Sequence, residues 1–125
     1  MERLKKRADF LKAARGRKWA APGLVLQSVR RGGDAPPRVG FTVTKRIGNA
    51  PQRNRARRRL REAARMVMPG RAQDGYDYVL IGRYSTLERD FGGLKDDLVL
   101  ALRKVHKAEA RNDRSSVQPG NGNKG

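Results

Sequence analysis

The chain has no cysteine. That single absence removes disulfides, thiolate zinc sites and cysteine nucleophiles together. Histidine is almost as scarce: His106 stands alone, so the paired acid–base groups by which metal-free ribonucleases cut RNA lack a second imidazole. It reads as an ordinary surface or helix-end residue. Acids are few, 12 Asp+Glu against 30 Lys+Arg, and they do not gather. Asp74 and Asp77 flank a turn, Asp96 and Asp97 are adjacent on a predicted helix and therefore face apart, and Glu62 sits among arginines as a helix ion-pair partner. These acids read as solvated surface groups, with no carboxylate set for a metal. A phosphate-binding Gly-Lys-Ser/Thr loop and a serine nucleophile with its partners are also missing. Long apolar runs are absent too: nothing approaches the ~18 residues of a membrane-spanning helix. The stretch "MERLKKRADFLKAARGR" lacks the unbroken apolar core of a secretory signal. The expectations are a cytoplasmic protein, no membrane partner, no metal site and no catalytic residue in the polypeptide.

What the chain has is positive charge. A net +18 on 125 residues is far more than solubility needs and works against compactness through self-repulsion, so a polyanionic partner, nucleic acid above all, is the expectation. The length fits one domain with one modest core. The charge is densest in "QRNRARRRLREAAR", where Arg53, Arg55, Arg57, Arg58, Arg59, Arg61 and Arg65 face the single acid Glu62. Either the segment is a solvated arm or it is a folded element held against something anionic.

Periodicity decides between these. Ala56, Leu60, Ala63, Ala64 and Val67 follow i, i+4, i+7, i+8, i+11 and share one helical face, with Asn54, Arg58, Arg61 and Arg65 on roughly the opposite side. A disordered arm has no use for that pattern. Asn49 is the predicted cap, Gln52 completes a capping box, and Pro51 falls in the first turn, where a missing N–H costs little. Arginine favours bidentate phosphate contacts, and N–H groups at a helix start add an anion site. Lys45, Arg46, the N–H groups of residues 50–52, and Arg53 with Arg55 thus read as one continuous basic surface.

Around this helix the remaining elements are predicted from period and punctuation. Leu4, Ala8, Leu11 and Ala14/Arg15 give a short first helix over residues 4–15, with Phe10 beside its stripe. "GLVLQSVRR" and "RVGFTVTK" read as two strands of a hairpin joined by the loop "GGDAPP". In the second of them Val39, Phe41 and Val43 share one face, Gly40, Thr42 and Thr44 the other. "YDYVLIGRY" is a third strand. A Ser85/Glu88 capping box then starts a last amphipathic helix through Val105, weakened at Gly92 and Gly93 by roughly 1 kcal/mol each if they are interior. The class is α+β, a single two-layer α/β sandwich in the order α-β-β-α-β-α, with the strands around the arginine helix parallel. Residues 1–107 form the domain, and residues 108–125, ending "RSSVQPGNGNKG", are left as a disordered polar tail.

"RVGFTVTKRIGNAPQRNRARRRLREAAR" resembles the signature block of the bacterial ribonuclease P protein component. The matching positions are Gly40, Phe41, Thr42, Val43, Thr44, Lys45 and Arg46, then Gly48, Asn49 and Ala50, then Arg53, Asn54, Arg55, Arg57, Arg58, Leu60 and Arg61. The flanks "LKKRADF", "LVLQSVRR" and "DYVLIGR" agree, and the resemblance covers residues 4–106. It implies a left-handed β-α-β crossover and a protein subunit of a ribonucleoprotein hydrolase. In that complex the catalytic RNA, with Mg2+ bound mainly by the RNA, removes the 5′ leader of precursor tRNA. On this reading Lys45, Arg46, Arg53, Asn54, Arg55, Arg57, Arg58, Arg61 and Arg65 contact the catalytic RNA. The cleft between the first helix and the sheet holds the leader, with Phe10, Thr42, Thr44 and Gln27 as candidates. An aromatic suits single strands, since stacking is worth ~1–3 kcal/mol per base and tolerates any sequence.

The chain departs from the pattern at four places. A second aromatic common one turn after Phe10 is Ala13/Ala14 here and the join from the first helix to the strand is a residue shorter, which implies either a reduced stacking platform or Trp19 as its substitute. A frequent Leu is Arg59, implying a less buried helix edge, and Gln27 stands where an aromatic often lies. Three functional readings remain open on sequence: the ribonuclease P protein subunit, a structural or ribosome-associated RNA-binding protein with no role in cleavage, and a DNA-compacting protein.

Overall fold

The computed structural model describes residues 1–117, with side chains described through 107. The chain runs β1 (Glu2–Arg3), α1 (Arg7–Ala14), β2 (Arg17–Ala20), β3 (Leu24–Arg30), β4 (Arg38–Thr42), a 3-10 turn (Lys45–Ile47), α2 (Ala50–Val67), β5 (Tyr76–Gly82), a second 3-10 turn (Tyr84–Leu87) and α3 (Phe91–Val117). One sheet has the order β1-β4-β5-β3-β2. The α+β class holds, and the expected order is kept with two short edge strands added. Both are rich in charge, Glu2–Arg3 and Arg17–Lys18, which discourages pairing with other chains.

The strand pairing corrects the hairpin expectation. β3 and β4 are not neighbours: β5 lies between them, antiparallel to β3 and parallel to β4. The reason is burial. Tyr76, Asp77, Tyr78, Val79 and Leu80 are all buried, and a strand covered on both faces belongs at the centre of a sheet. The parallel β4-α2-β5 unit stands as expected.

Leu24, Leu26, Val39, Tyr76, Tyr78 and Leu80 form the larger core with α2 and α3, through Leu60, Ala63, Val67, Leu94, Leu98, Leu102 and Val105. Burying a leucine such as Leu60 or Leu98, both fully enclosed, is worth about 2 kcal/mol before chain entropy is counted. The alternate residue Val79 belongs to a second cluster with Leu4 and Ala13, flanked by Phe10, Val29 and Ile81. Helix α1, expected in the same layer as the others, therefore covers the opposite face of the sheet. Its stripe differs from the expectation as well. Ala13 is buried, Leu11 is exposed, and Leu4 lies before the helix, its N–H donating to the Val39 carbonyl at 2.9 Å.

The last helix starts later than Ser85. Ser85 Oγ donates to the Pro22 carbonyl, and Thr86 donates to Gly23 O at 2.6 Å while accepting the Arg83 N–H at 2.8 Å. The expected Ser85/Glu88 box is absent because these residues close the second 3-10 turn against the loop before β3. Asp90 Oδ2 instead accepts the Gly93 N–H at 3.1 Å at the start of α3. Gly92 and Gly93 thus fall in the first turn, where helical hydrogen bonds are not yet due. At the far end α3 continues through Val117, past the boundary expected at residue 107. Ala108, Glu109, Ala110 and Arg111 are good helix formers, and extending a nucleated helix is cheap. The remainder of the expected tail, 118–125, lies outside the described residues.

Candidate nucleic-acid interface

Helix α2 is built as its sequence predicts. Gln52 N–H donates to Asn49 Oδ1 at 3.0 Å and Asn49 N–H to Gln52 Oε1 at 2.9 Å, a complete capping box. Gly48 is required there. Its φ is 146°, and a Cβ would sit 2.0 Å from Gln52 Oε1, so the side chain that closes the box occupies the space a larger residue would need. One sequence inference is narrowed by this geometry. Of the N–H groups of residues 50–52 assigned to an anion site, Pro51 has none and Gln52's is taken by the cap, which leaves only that of Ala50.

The arginines of α2 divide into two groups. Asn54, Arg55, Arg58, Arg61 and Arg65 are exposed, opposite the buried Ala56, Leu60, Ala63, Ala64 and Val67. The side chains of Arg55, Arg58 and Arg61, and before the helix those of Lys45 and Arg46, make no hydrogen bond or ion pair with protein among the described residues. The others are partly engaged. Arg53 donates to the Gly48 carbonyl at 2.9 Å, Arg57 to Asn54 Oδ1 at 3.1 Å, and Arg65 to Glu62, whose carboxyl the arginine holds below its usual pKa. Arg59 turns the other way. It donates to the carbonyls of Thr86 (2.9 Å) and Arg89, and its guanidinium lies 5.9 Å over the Phe91 ring. The less buried edge expected at Arg59 is not left open: the side chain is half-buried, and it fastens α2 to the second 3-10 turn and the start of α3.

The second candidate surface is the sheet face beneath α1. Phe10 is half-buried against Gly40, where a Cβ would lie 2.6 Å from the ring. Glycine at 40 is thus what lets α1 dock. Register sets the rest. Gln27 pairs across to Val79 and Val79 to Gly40, while Thr42 pairs with Ile81. Phe10, Gln27 and Thr42 therefore share one face. Thr44 is exposed beyond the end of β4. Trp19, the alternative platform, is on the wrong side: it pairs with Leu26, packs against the larger core and lies under Lys104 Nζ at 5.4 Å. Lys18, not singled out from sequence, is exposed on the edge strand directly across from Gln27. The alternation of "RKWA", with Trp19 inward, was its signal.

Two acids expected at the solvated surface are buried. Asp77 accepts from Arg31 Nη1 (2.7 Å) and from Arg38 Nε (2.9 Å) and Nη2 (2.7 Å), binding the β3–β4 loop to the start of β5. The bond to Asp77 holds the Arg38 guanidinium above its ordinary pKa. Asp97 accepts the Gly23 N–H at 2.9 Å and pairs with Arg89 at 3.0 Å. His106 is half-buried too, at 2.7 Å from the Tyr78 hydroxyl, and burial lowers its pKa. The same burial pushes the Tyr78 phenol up to about 12. Among the described residues, no three His, Asp or Glu side chains converge in a way that could hold a metal ion, and no helix is long and apolar enough to cross a membrane.

This architecture, a sheet with a capped arginine helix on one face and a short aromatic-bearing helix on the other, has relatives of known kind. A family model described as Ribonuclease P matches residues 1–112. The chain belongs to the ribonuclease P protein family. It is 54% identical to the ribonuclease P protein component of Paramagnetospirillum magneticum over 121 residues, covering 88% of this chain and 91% of that one. With the component of Ruegeria pomeroyi it shares 58% identity over 106 residues, or 82% and 85% of the two chains. Among solved structures, the RNase P protein of Staphylococcus aureus superposes with a TM-score of 0.69 at 26% identity, covering 82% of this chain and 94% of that one. The Thermotoga maritima RNase P protein does so with 0.68 at 30% identity, covering 82% and 97%. The resemblance read from residues 38–65 therefore extends through nearly all the described chain.

Proposed function

We propose that this chain is the protein subunit of a ribonuclease P holoenzyme, working in the cytoplasm with a catalytic RNA on precursor tRNA. The observation that carries the reading is the outward face of α2. Arg55, Arg58 and Arg61 are exposed and without protein partners on a helix whose other face is locked in the core. Long cations held on a fixed scaffold meet phosphates with little further loss of backbone freedom, and each contact releases counterions. Lys45 and Arg46 lengthen the surface at its start, and Arg53, Asn54, Arg57 and Arg65 lend it directed donors and acceptors.

The sheet face beneath α1 is assigned to the 5′ leader. Phe10 offers a half-buried aromatic ring for base stacking, while Gln27 and Thr42 supply hydrogen bonds that do not select one base. Thr44 and Lys18 continue toward the backbone of a strand leaving the cleft. The protein's part in the reaction is to bind and orient two RNAs. On this reading the hydrolysis belongs to the RNA and the divalent ions it binds.

The test is reconstitution with the ribonuclease P RNA of the same organism at limiting Mg2+. Adding the folded protein is expected to raise cleavage of precursor tRNA strongly and to raise affinity for precursor over mature tRNA, while protein alone cleaves nothing. Unchanged processing with demonstrably folded protein would leave the structural RNA-binding reading in its place.

A further inference from the structure

Beside the arginine ridge lies a cavity of about 240 Å3 lined by Met1, Arg3, Val39, Phe41, Arg61, Ala64, Arg65 and Pro69. Its make-up is unlike the ridge itself. Val39, Phe41, Ala64 and Pro69 give it an apolar floor, and three arginines surround it. Arg3 reaches it because β1 pairs in register with β4, Arg3 opposite Val39, and its guanidinium lies 5.2 Å over the Phe41 ring.

Resting on the proposed function above, we infer that this cavity captures a single unpaired base of the catalytic RNA. An apolar floor is of no use to a phosphate, and a ring of arginines is of no use to a wholly apolar ligand. A nucleotide turned out of its stack has both parts: a planar base for Phe41 and Arg3, and an attached phosphate for Arg61, which has no protein partner. Bases are commonly received on aromatic rings and guanidinium planes in just this combination. The volume lies below the ~300 Å3 at which pockets for drug-sized ligands begin, which suits one base. The source of the base follows from the pleat. Phe41 and Val39 point to the α2 side of β4, whereas Gly40 and Thr42 face the cleft beneath α1, so a leader lying in that cleft is on the other side of the sheet.

The test uses the reconstituted holoenzyme and begins with a photocrosslinking residue in place of the exposed Pro69. Crosslinks are expected at one unpaired nucleotide of the catalytic RNA. Crosslinks confined to helical segments, to the precursor leader, or absent altogether would overturn the inference. Arg3→Ala is expected to weaken assembly roughly tenfold, within the range for loss of one stacked base, and Arg3→Lys to weaken it nearly as much, since lysine keeps the charge but not the plane. Making the crosslinked nucleotide abasic should cost wild type the same factor and Arg3→Ala nothing further. Full rescue by lysine, or additive losses, would reduce Arg3 to a phosphate contact and sink the proposal. Arg58→Ala is the control for the underlying reading. If it weakens assembly and the Arg3 variants do not, only the base site is wrong; if neither the RNA nor the substrate responds to the protein at all, both fall.

Discussion

Two sets of arginines in this molecule can be set side by side. Arg31, Arg38 and Arg89 are bound to the buried acids Asp77 and Asp97, and Arg59 is bound to backbone carbonyls. Arg55, Arg58 and Arg61 have no protein partner among the described residues and stand in solvent. The residue type is the same, and what differs is where the fold supplies an acceptor. In the first set the guanidinium fork is consumed inside the protein and fixes loops to the sheet. In the second it is left unspent, and the repulsion it brings is tolerated because the opposite face of α2 is anchored by apolar burial.

The largest expected effect tests the inner set. Asp77→Asn removes the charge that Arg31 and Arg38 share, and breaking a largely buried pair costs about 3 kcal/mol. Urea denaturation should show the midpoint falling with an unchanged slope. A loss under about 0.5 kcal/mol would put these arginines in the same class as the ridge. Next in size is Gly40→Ala, where the new methyl meets the Phe10 ring, with about 1–3 kcal/mol expected for overpacking. A neutral result would mean α1 is free to move off the sheet. Arg58→Ala should leave stability within about 0.5 kcal/mol, yet lower affinity for the catalytic RNA and make the salt dependence shallower by about one unit. If it unfolds the protein instead, the division between the two sets fails.

The smallest effect concerns pH. Burial lowers the pKa of His106, so the unfolded chain takes up the proton first. Stability is then complete above the ordinary histidine value near 6.5 and declines as pH falls below it. Arg71, Arg103 and Lys107 share its surface cavity, and the Tyr78 hydroxyl, its pKa pushed up to about 12, stays neutral throughout. Melting temperatures at pH 7.5 and 5.5 should show this decline, and His106→Gln should remove part of it. An identical decline in both proteins would place the acid sensitivity elsewhere.

Much of the ridge was legible in the sequence. The 3.6-residue spacing of Ala56, Leu60, Ala63 and Val67, the Asn49/Gln52 box and the glycine at 48 are local signals, and a helix reads them without help from the rest of the chain. The cleft was legible in part. Alternation put Thr42 and Gly40 on one face of their strand, but only register brought Gln27 to that face and took Trp19 away from it. The pocket around Phe41 was not legible, because Arg3 lies far from β4 in sequence and reaches it through an edge strand of two residues.

The sequence by itself determined the three helices and the three longer strands, the sidedness of α2 and the excess of positive charge, since each depends on composition or on neighbours within a few turns. Tertiary structure alone decided that β5 would separate β3 from β4, that Asp77 and Asp97 would be buried while Glu62 stayed at the surface, and that α1 would cross to the other face of the sheet. The physical reason is that alternation tells a strand which sides to bury but not beside which strand to lie. That choice is made by the burial of the whole sheet at once, and it assigns each charge an acceptor or leaves it to the solvent.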